Sequence, residues 1–195
     1  TQAHPPVGLQ VRLKDEQYAG NLQRLGQGEI NDIRRSIASS AVKIESGGIS
    51  WSVDRWLPWE ASLSNDALGA LLTEAVNRLK SQDRQALSGK SITLALLNKS
   101  SHLLENHLSD GFIGANRVLF TLPASVRNAL FIAGIAHELR HEAAGPNADH
   151  AALEADLTLQ DVRLLQQLLT ERDAQALLES LSDIAHDEGL VSALR

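Results

Sequence analysis

Two histidines and a glutamate lie close together in this sequence, at a spacing that suits zinc chemistry. His137, Glu138 and His141 stand in the order His-Glu-x-x-His. Positions four apart on an α-helix lie on one face, so both imidazoles can bind one ion. Glu138 lies at the flank of that face and can accept a proton from a metal-bound water. The spacing therefore predicts two zinc ligands and a general base.

A catalytic zinc ion needs a third protein ligand, and it keeps a fourth position for a water whose pKa falls to about 7. The chain has no cysteine, so the third ligand must be a histidine or a carboxylate. Glu154 is the first candidate, because it lies on the next predicted helix, after a turn at Gly145-Pro146 that lets two helices pack side by side. Asp149, His150 and Asp156 are alternatives. The sequence predicts one Zn²⁺ per chain.

The motif at 137–141, followed by Glu154-Ala155-Asp156, resembles the gluzincin clan of zinc metallopeptidases, especially its compact members. The resemblance covers roughly Ile92 to Leu169. It implies hydrolysis of peptide bonds, with a glutamate on a later helix completing the zinc ligands. It also implies a strand whose edge aligns an extended peptide substrate, and residues 116–121 would be that strand.

The chain departs from the clan's pattern after the proposed ligand Glu154. Many relatives place an aspartate four residues later to orient a zinc histidine, whereas Thr158 stands there in this chain. Asp156 and Asp161 are candidate substitutes. The metzincin clan ranks second, because it needs a third histidine six residues after His141, where Asn147 stands.

Catalysis also needs a donor for the developing oxyanion. His150 lies one turn before Glu154 and could face the site, although a surface position at a helix start suits it equally. Arginines near the motif are further candidates, namely Arg117, Arg140 and Arg163. His102 and His107 lie in a polar stretch of a kind that can cover an active site, but such residues are more often solvated.

Patterns of hydrophobicity and caps predict the elements around the motif. Strands are predicted near 7–13, as a hairpin around Ser46-Gly47-Gly48, at Ile92–Leu97 and at 116–121. Helices are predicted as two short ones within 15–40, one from Ser64 that fades after Gln82, one from Pro123 to about Ala143, one from Asn147 or Asp149 to about Leu169, and one at about 171–185. The predicted class is α+β, a small mixed sheet with a helical C-terminal half that carries the zincin-like helix pair.

Composition limits the partners. A net charge of -6 argues against a broad phosphate-binding surface, so nucleic acid is not expected. No stretch approaches the roughly 20 apolar residues of a membrane span, and no signal-like segment occurs, so we expect a soluble protein whose compartment stays unknown. Residues 1–60 are predicted to be part of the same domain as a metallopeptidase core at 61–195.

Two other functions compete with a peptidase. The same ligands could hold a structural ion, or the scaffold could only bind a partner, although Glu138 speaks against both. A zinc hydrolase of a non-peptide amide would use the same ligands, because the metal does not choose the acyl group. The two histidines could also be a solvated pair at a charged helix end.

Overall fold

The structure is a computed structural model that describes residues 12–13, 27–54, 63–97, 104–107, 112–116, 119, 122–173, 175 and 181–183. Side chains are described for a smaller set, which omits those of 105–107, 150–151 and 154–159. The helices are α1 (Gln27–Ser40), α2 (Asn65–Asn77), α3 (Ser81–Leu87), α4 (Ala124–Ala144) and α5 (His150–Leu168). The strands are β1 (Arg12–Leu13), β2 (Ala41–Ser46), β3 (Ile49–Asp54), β4 (Ser91–Leu97), β5 (Leu104–His107), β6 (Phe112–Asn116) and β7 (Leu181–Asp183).

Five of the strands form a mixed sheet in the order β2-β3-β4-β6-β5. The central pairs β3–β4 and β4–β6 are parallel, whereas the outer pairs β2–β3 and β5–β6 are antiparallel. The predicted hairpin is confirmed, with Gly47 and Gly48 at φ 61° and 79° between β2 and β3. The α+β class with a small mixed sheet is confirmed.

Apolar side chains cover both faces of this sheet. One face packs against helices α2 and α4, and α5 packs against α4, in a core that includes Trp51 and Leu94 from the strands and Leu72, Leu130 and Leu164 from the helices. On the other face, Ile30 of α1 packs with Ala95 and Phe112. Alternation along the strands thus buries both sides.

Helix α2 begins as the sequence predicts but ends earlier. The Ser64 side chain accepts a hydrogen bond from the Ala67 N–H, at 3.1 Å, as an N-cap does. The helix ends at Asn77, and a separate short helix, α3, runs from Ser81 to Leu87. The single helix predicted to fade after Gln82 is therefore two helices.

The strand predicted at 116–121 is wrong in its bounds. Strand β6 covers Phe112–Asn116, and an additional strand, β5, occupies part of the polar stretch for which the sequence predicts a loop or a loose hairpin. Leu119 lies in a 3₁₀ turn, and 117, 118, 120 and 121 lie outside the described residues.

The last predicted helix, at about 171–185, is also wrong in part. Residues 171–173 and 175 are helical, but Leu181–Asp183 form β7, which pairs antiparallel with β1. Of the strand predicted near 7–13, only Arg12–Leu13 is described, and it is extended. Of the two short helices predicted within 15–40, α1 covers Gln27–Ser40, and 15–26 lie outside the described residues.

In the part of the chain that the structure describes, no helix combines the length and the apolarity that crossing a bilayer requires.

Candidate metal centre

Helix α4 carries the His-Glu-x-x-His motif in its C-terminal half. Pro123 precedes its first turn, where a missing N–H costs nothing. From Ala129 to Arg140 every side chain is buried, and the helix ends at Gly145, whose φ of 79° favours glycine. The N–H of Gly145 donates to the His141 carbonyl at 3.3 Å. The motif is thus presented by a helix fixed in the core.

The two histidines of the motif point their Nε2 atoms at each other. These atoms are 3.1 Å apart, and the ring planes make an angle of 64°. Two nitrogens bound tetrahedrally to zinc at 2.0–2.1 Å would be about 3.3 Å apart. The separation of His137 and His141 therefore fits a pair of ligands on one ion.

The other nitrogen of His137 is bound by a buried carboxylate from α5. His137 Nδ1 lies 2.7 Å from Asp161 Oδ2, and Asp161 is 2% exposed. An ionised carboxylate only accepts hydrogen bonds, so an ionised Asp161 requires a proton on His137 Nδ1. The lone pair of His137 Nε2 then faces His141. Histidine ligands of metals commonly have a carboxylate in this position.

Two arrangements of protons fit the contact between the rings. In one, both Nε2 atoms carry lone pairs, as they would on a shared cation. In the other, His141 Nε2 carries a hydrogen and donates it to His137 Nε2. Both arrangements leave the Asp161 contact unchanged, so metal binding has to be measured to distinguish them.

Asp161 has a second partner on α4. Arg140 Nη1 donates to Asp161 Oδ1 at 3.3 Å, while Oδ2 is bound by His137. Arg140 and His137 are 6% and 7% exposed. The two oxygens of one carboxylate are thus divided between two residues of the motif.

Glu138, the predicted general base, is also buried, at 8% exposed. It follows His137 on α4, so its backbone position lies at the edge of the histidine face. Glu142, one turn later, lies nearer the surface and pairs with Lys90 at 3.1 Å. The two glutamates of this helix end therefore have different surroundings.

The backbone of α5 carries the candidates for a third ligand. Glu154 lies in its second turn, and Asp161 follows seven residues later, which is two turns along one helix face. In the gluzincin clan, many members have the orienting aspartate four residues after the ligand glutamate, and the residue four before Asp161 is Leu157. Glu154 lies three residues before Leu157, about one turn closer to the start of α5. Its side chain lies outside the described residues.

The remaining α5 candidates differ in position. Asp149 is the N-cap, and its Oδ1 accepts from the Ala152 N–H at 3.2 Å. His150 is the first residue of the helix, and Asp156 lies five residues before Asp161, about 140° around the axis. The side chains of His150 and Asp156 are outside the described set.

Among the residues with described side chains, no group of three His, Cys, Asp or Glu could hold a metal ion. The pair of histidines is present there, and the proposed third ligand is not part of that set. Comparisons with protein-family models, curated proteins and solved structures found no match. The resemblance to gluzincins therefore depends on the residues of the motif.

The edge of the sheet approaches the motif helix closely. A Cβ atom at Gly134 of α4 would overlap the side chain of Leu104, which is in β5. Gly134 precedes His137 by three residues and Glu138 by four, so it lies on the same helix face, one turn away. Within the described residues, β5 is the edge strand at this side of the sheet.

Sequence reasoning named Asp161 only as one of two substitutes, and Arg140 only as an unranked oxyanion candidate. The spacing of seven between Glu154 and Asp161 was a usable signal, since it places both on one helix face. Arg140 gave no comparable signal, because its burial depends on how α4 packs against α5 and the end of α2.

Proposed function

We propose that this chain is a zinc-dependent endopeptidase with His137, His141 and Glu154 as ligands and Glu138 as general base. One observation carries the proposal: two Nε2 atoms lie 3.1 Å apart while Asp161 holds the other nitrogen of His137. A solvated histidine pair would be exposed, whereas His137 is 7% exposed and its Nδ1 atom is bound by a buried carboxylate. This is the support for a metal site over a solvated pair.

The chemistry follows from the roles of these residues. A zinc ion bound here would polarise a carbonyl and lower the pKa of a water, which supplies a nucleophile at neutral pH. Glu138 accepts the proton of the attacking water and then gives it to the leaving amine as the C–N bond breaks. Asp161 fixes the orientation of His137 throughout. The buried position of Glu138 keeps competing water away from this proton transfer.

The substrate is proposed to be an extended peptide bound along the edge of β5. This replaces the prediction of residues 116–121, because β6 lies between β4 and β5 and its backbone is paired on both sides. An edge strand can add a further strand through its backbone hydrogen bonds. The close approach of Leu104 to Gly134 brings this edge to the helix face of the motif.

The test combines metal content with a single carboxylate change. We expect about one zinc per chain in the parent protein and in Glu138→Gln, with cleavage of unfolded casein about 10² to 10⁴-fold slower in the variant. Glu142→Gln is the matched control, because it removes a glutamate from the same helix end that pairs with Lys90 instead. It should keep both zinc and activity.

The other outcomes separate the competing functions. Zinc in the parent protein without cleavage of casein would favour a structural ion or a partner-binding module, and a fourth protein ligand would support that function. Cleavage of small amides but not of peptides would indicate a different hydrolase. If neither the parent nor the variant retains zinc when it is added, the motif is a coincidence and the proposal fails.

A further inference from the structure

Arg140 occupies a variable position of the motif, yet it is among the most buried charged residues that the structure describes. It is 6% exposed, near the end of α4. Arginine is almost never buried to this extent unless it is paired, because desolvating the charge is costly. Its neighbours therefore indicate what it does.

The guanidinium of Arg140 joins three elements of the fold. Nη1 donates to Asp161 Oδ1 of α5 at 3.3 Å, and Nη2 makes a long contact of 3.4 Å with the carbonyl of Arg78. Arg78 is the C-cap of α2, and its own N–H is bonded within that helix end. The Arg78 carbonyl thus contacts a different nitrogen of the guanidinium from the one that contacts Asp161.

This arrangement restricts the Asp161 carboxylate. With Oδ1 on Arg140 and Oδ2 on His137, the plane of the carboxylate has one favourable orientation. If Arg140 were absent, Oδ1 would lose this charged donor while staying buried, and the carboxylate would be able to rotate. That rotation would release the His137 ring.

We propose that Arg140 is a positioning residue that holds Asp161, and through it His137, in the orientation that binds a divalent zinc-type cation. The inference deepens the proposed function and rests on it. Arg140 itself does not contact the reacting atoms. Its Nη1 and Nη2 donors are directed to Asp161 and Arg78, and the positioning role does not require it to act as an oxyanion donor.

The first experiment measures zinc affinity by competition with a chromogenic chelator. Arg140→Met keeps the side-chain length without donors or charge, and we expect it to weaken zinc binding roughly 10- to 100-fold. Arg140→Lys keeps the charge and should restore most of the affinity. Arg78→Met is the matched control, since it removes the Arg78 side chain but keeps the carbonyl that Arg140 contacts.

A cycle with Asp161→Asn shows whether Arg140 acts through Asp161. In that case Arg140→Met has no further effect on zinc affinity in the Asp161→Asn background. Independent, multiplying effects would overturn the inference, as would parent-like affinity in Arg140→Met. If the single variant does not fold, the double variant removes the stranded carboxylate, and its comparison with Asp161→Asn alone still decides.

A second readout does not depend on zinc. In the metal-free protein, the Nδ1–H proton of His137, assigned by its loss in His137→Gln, should give a protected NMR signal in the parent and in Arg140→Lys. It should be lost through exchange in Arg140→Met. If no protein binds zinc but this signal behaves as expected, the proposed function fails while the positioning role stands. An unchanged signal in Arg140→Met would refute the positioning role.

Discussion

Two aspartates from the C-terminal part of the chain contact helix α4 near its opposite ends. Asp161 of α5 lies near the C-terminal end, 2% exposed, and binds His137 and Arg140. Asp173 lies near the N-terminal end, at the surface, and its Oδ1 accepts from Ser125 Oγ at 2.9 Å. The residue type and the partner helix are the same, but the surroundings are not.

The difference shows how burial decides what a carboxylate can do. Water competes for the oxygens of Asp173 and screens its charge, so its contact with Ser125 can contribute little. Asp161 lies where water is excluded, and there an uncompensated charge is expensive. A buried carboxylate therefore fixes its partners in place, which is what a metal ligand such as His137 requires.

The largest effect is expected when Asp161 is changed. Asp161→Asn leaves the buried charge of Arg140 without its carboxylate, so the free energy of unfolding should fall by about 3 kcal/mol. Zinc affinity should fall roughly 10- to 100-fold. Urea denaturation of the metal-free protein measures the first quantity, and chelator competition measures the second.

Asp173→Asn is the matched control for this change, because it neutralises the other aspartate that contacts α4. It should leave zinc affinity unchanged. Equal losses of stability in the two variants would contradict the comparison. So would a zinc affinity that does not respond to Asp161→Asn.

A smaller effect on stability is expected at Gly134, which lies between the two aspartate contacts, where α4 approaches the edge strand β5. Gly134→Ala would normally stabilise a helix by about 1 kcal/mol. Here the new Cβ would overlap Leu104, so we expect a net loss of about 1–2 kcal/mol in the free energy of unfolding. Cleavage of casein should also slow, because β5 is displaced from the motif face.

Two comparisons isolate this contact. Gly69→Ala on α2 is the matched control, since its Cβ would lie 3.4 Å from Ile44 Cγ2 and should keep or raise stability. In a Leu104→Ala background, Gly134→Ala should become stabilising, because space has been made for the methyl group. A stabilising effect of Gly134→Ala in the parent protein would show that β5 does not approach α4 this closely.

Much of the fold could be predicted from local signals. The Gly47-Gly48 turn, the Ser64 cap, and the Pro123 and Gly145 ends of α4 each have a mechanism that depends only on nearby residues. No glycine or proline lies at the break between α2 and α3, so the sequence gives no local signal for it. Strands β5 and β6 are four and five residues long, and β6 contains Gly114, so only pairing within the sheet identifies them.

The residues of the site also divide into those that local signals predict and those that they do not. The spacing of His137, Glu138 and His141 is enough by itself to place them on one side of a helix. The spacing of Glu154 and Asp161 favours Asp161 over Asp156 as the partner of His137 only if Glu154 faces α4, and that depends on the rotation of α5 against α4. The packing of α5 against α4 therefore decides which carboxylate contacts His137, and the same packing buries Arg140 beside that carboxylate.

The smallest effect is expected at Asp173, and it should depend on pH. Hydrogen bonds from Ser125, and then from Thr170, hold the pKa of this carboxyl below its ordinary value. A lowered pKa in the folded state means that its contribution to stability is present above the unfolded pKa of about 3.9 and is lost as pH falls through the folded value. Asp173→Asn should therefore lower the Tm slightly at pH 7 and not at all well below pH 4.

Ser125→Ala removes the larger cause of the lowered pKa of Asp173 and should reproduce most of this small decrease in Tm. At pH 7, Asp161→Asn should lower the Tm much more. The pH dependence is the sharper discriminator, because a surface carboxylate loses its effect once protonated. A Tm difference between parent and Asp173→Asn that persists at the lowest pH would mean that the side chain acts by packing. In that case burial would not be what separates the two ends of α4.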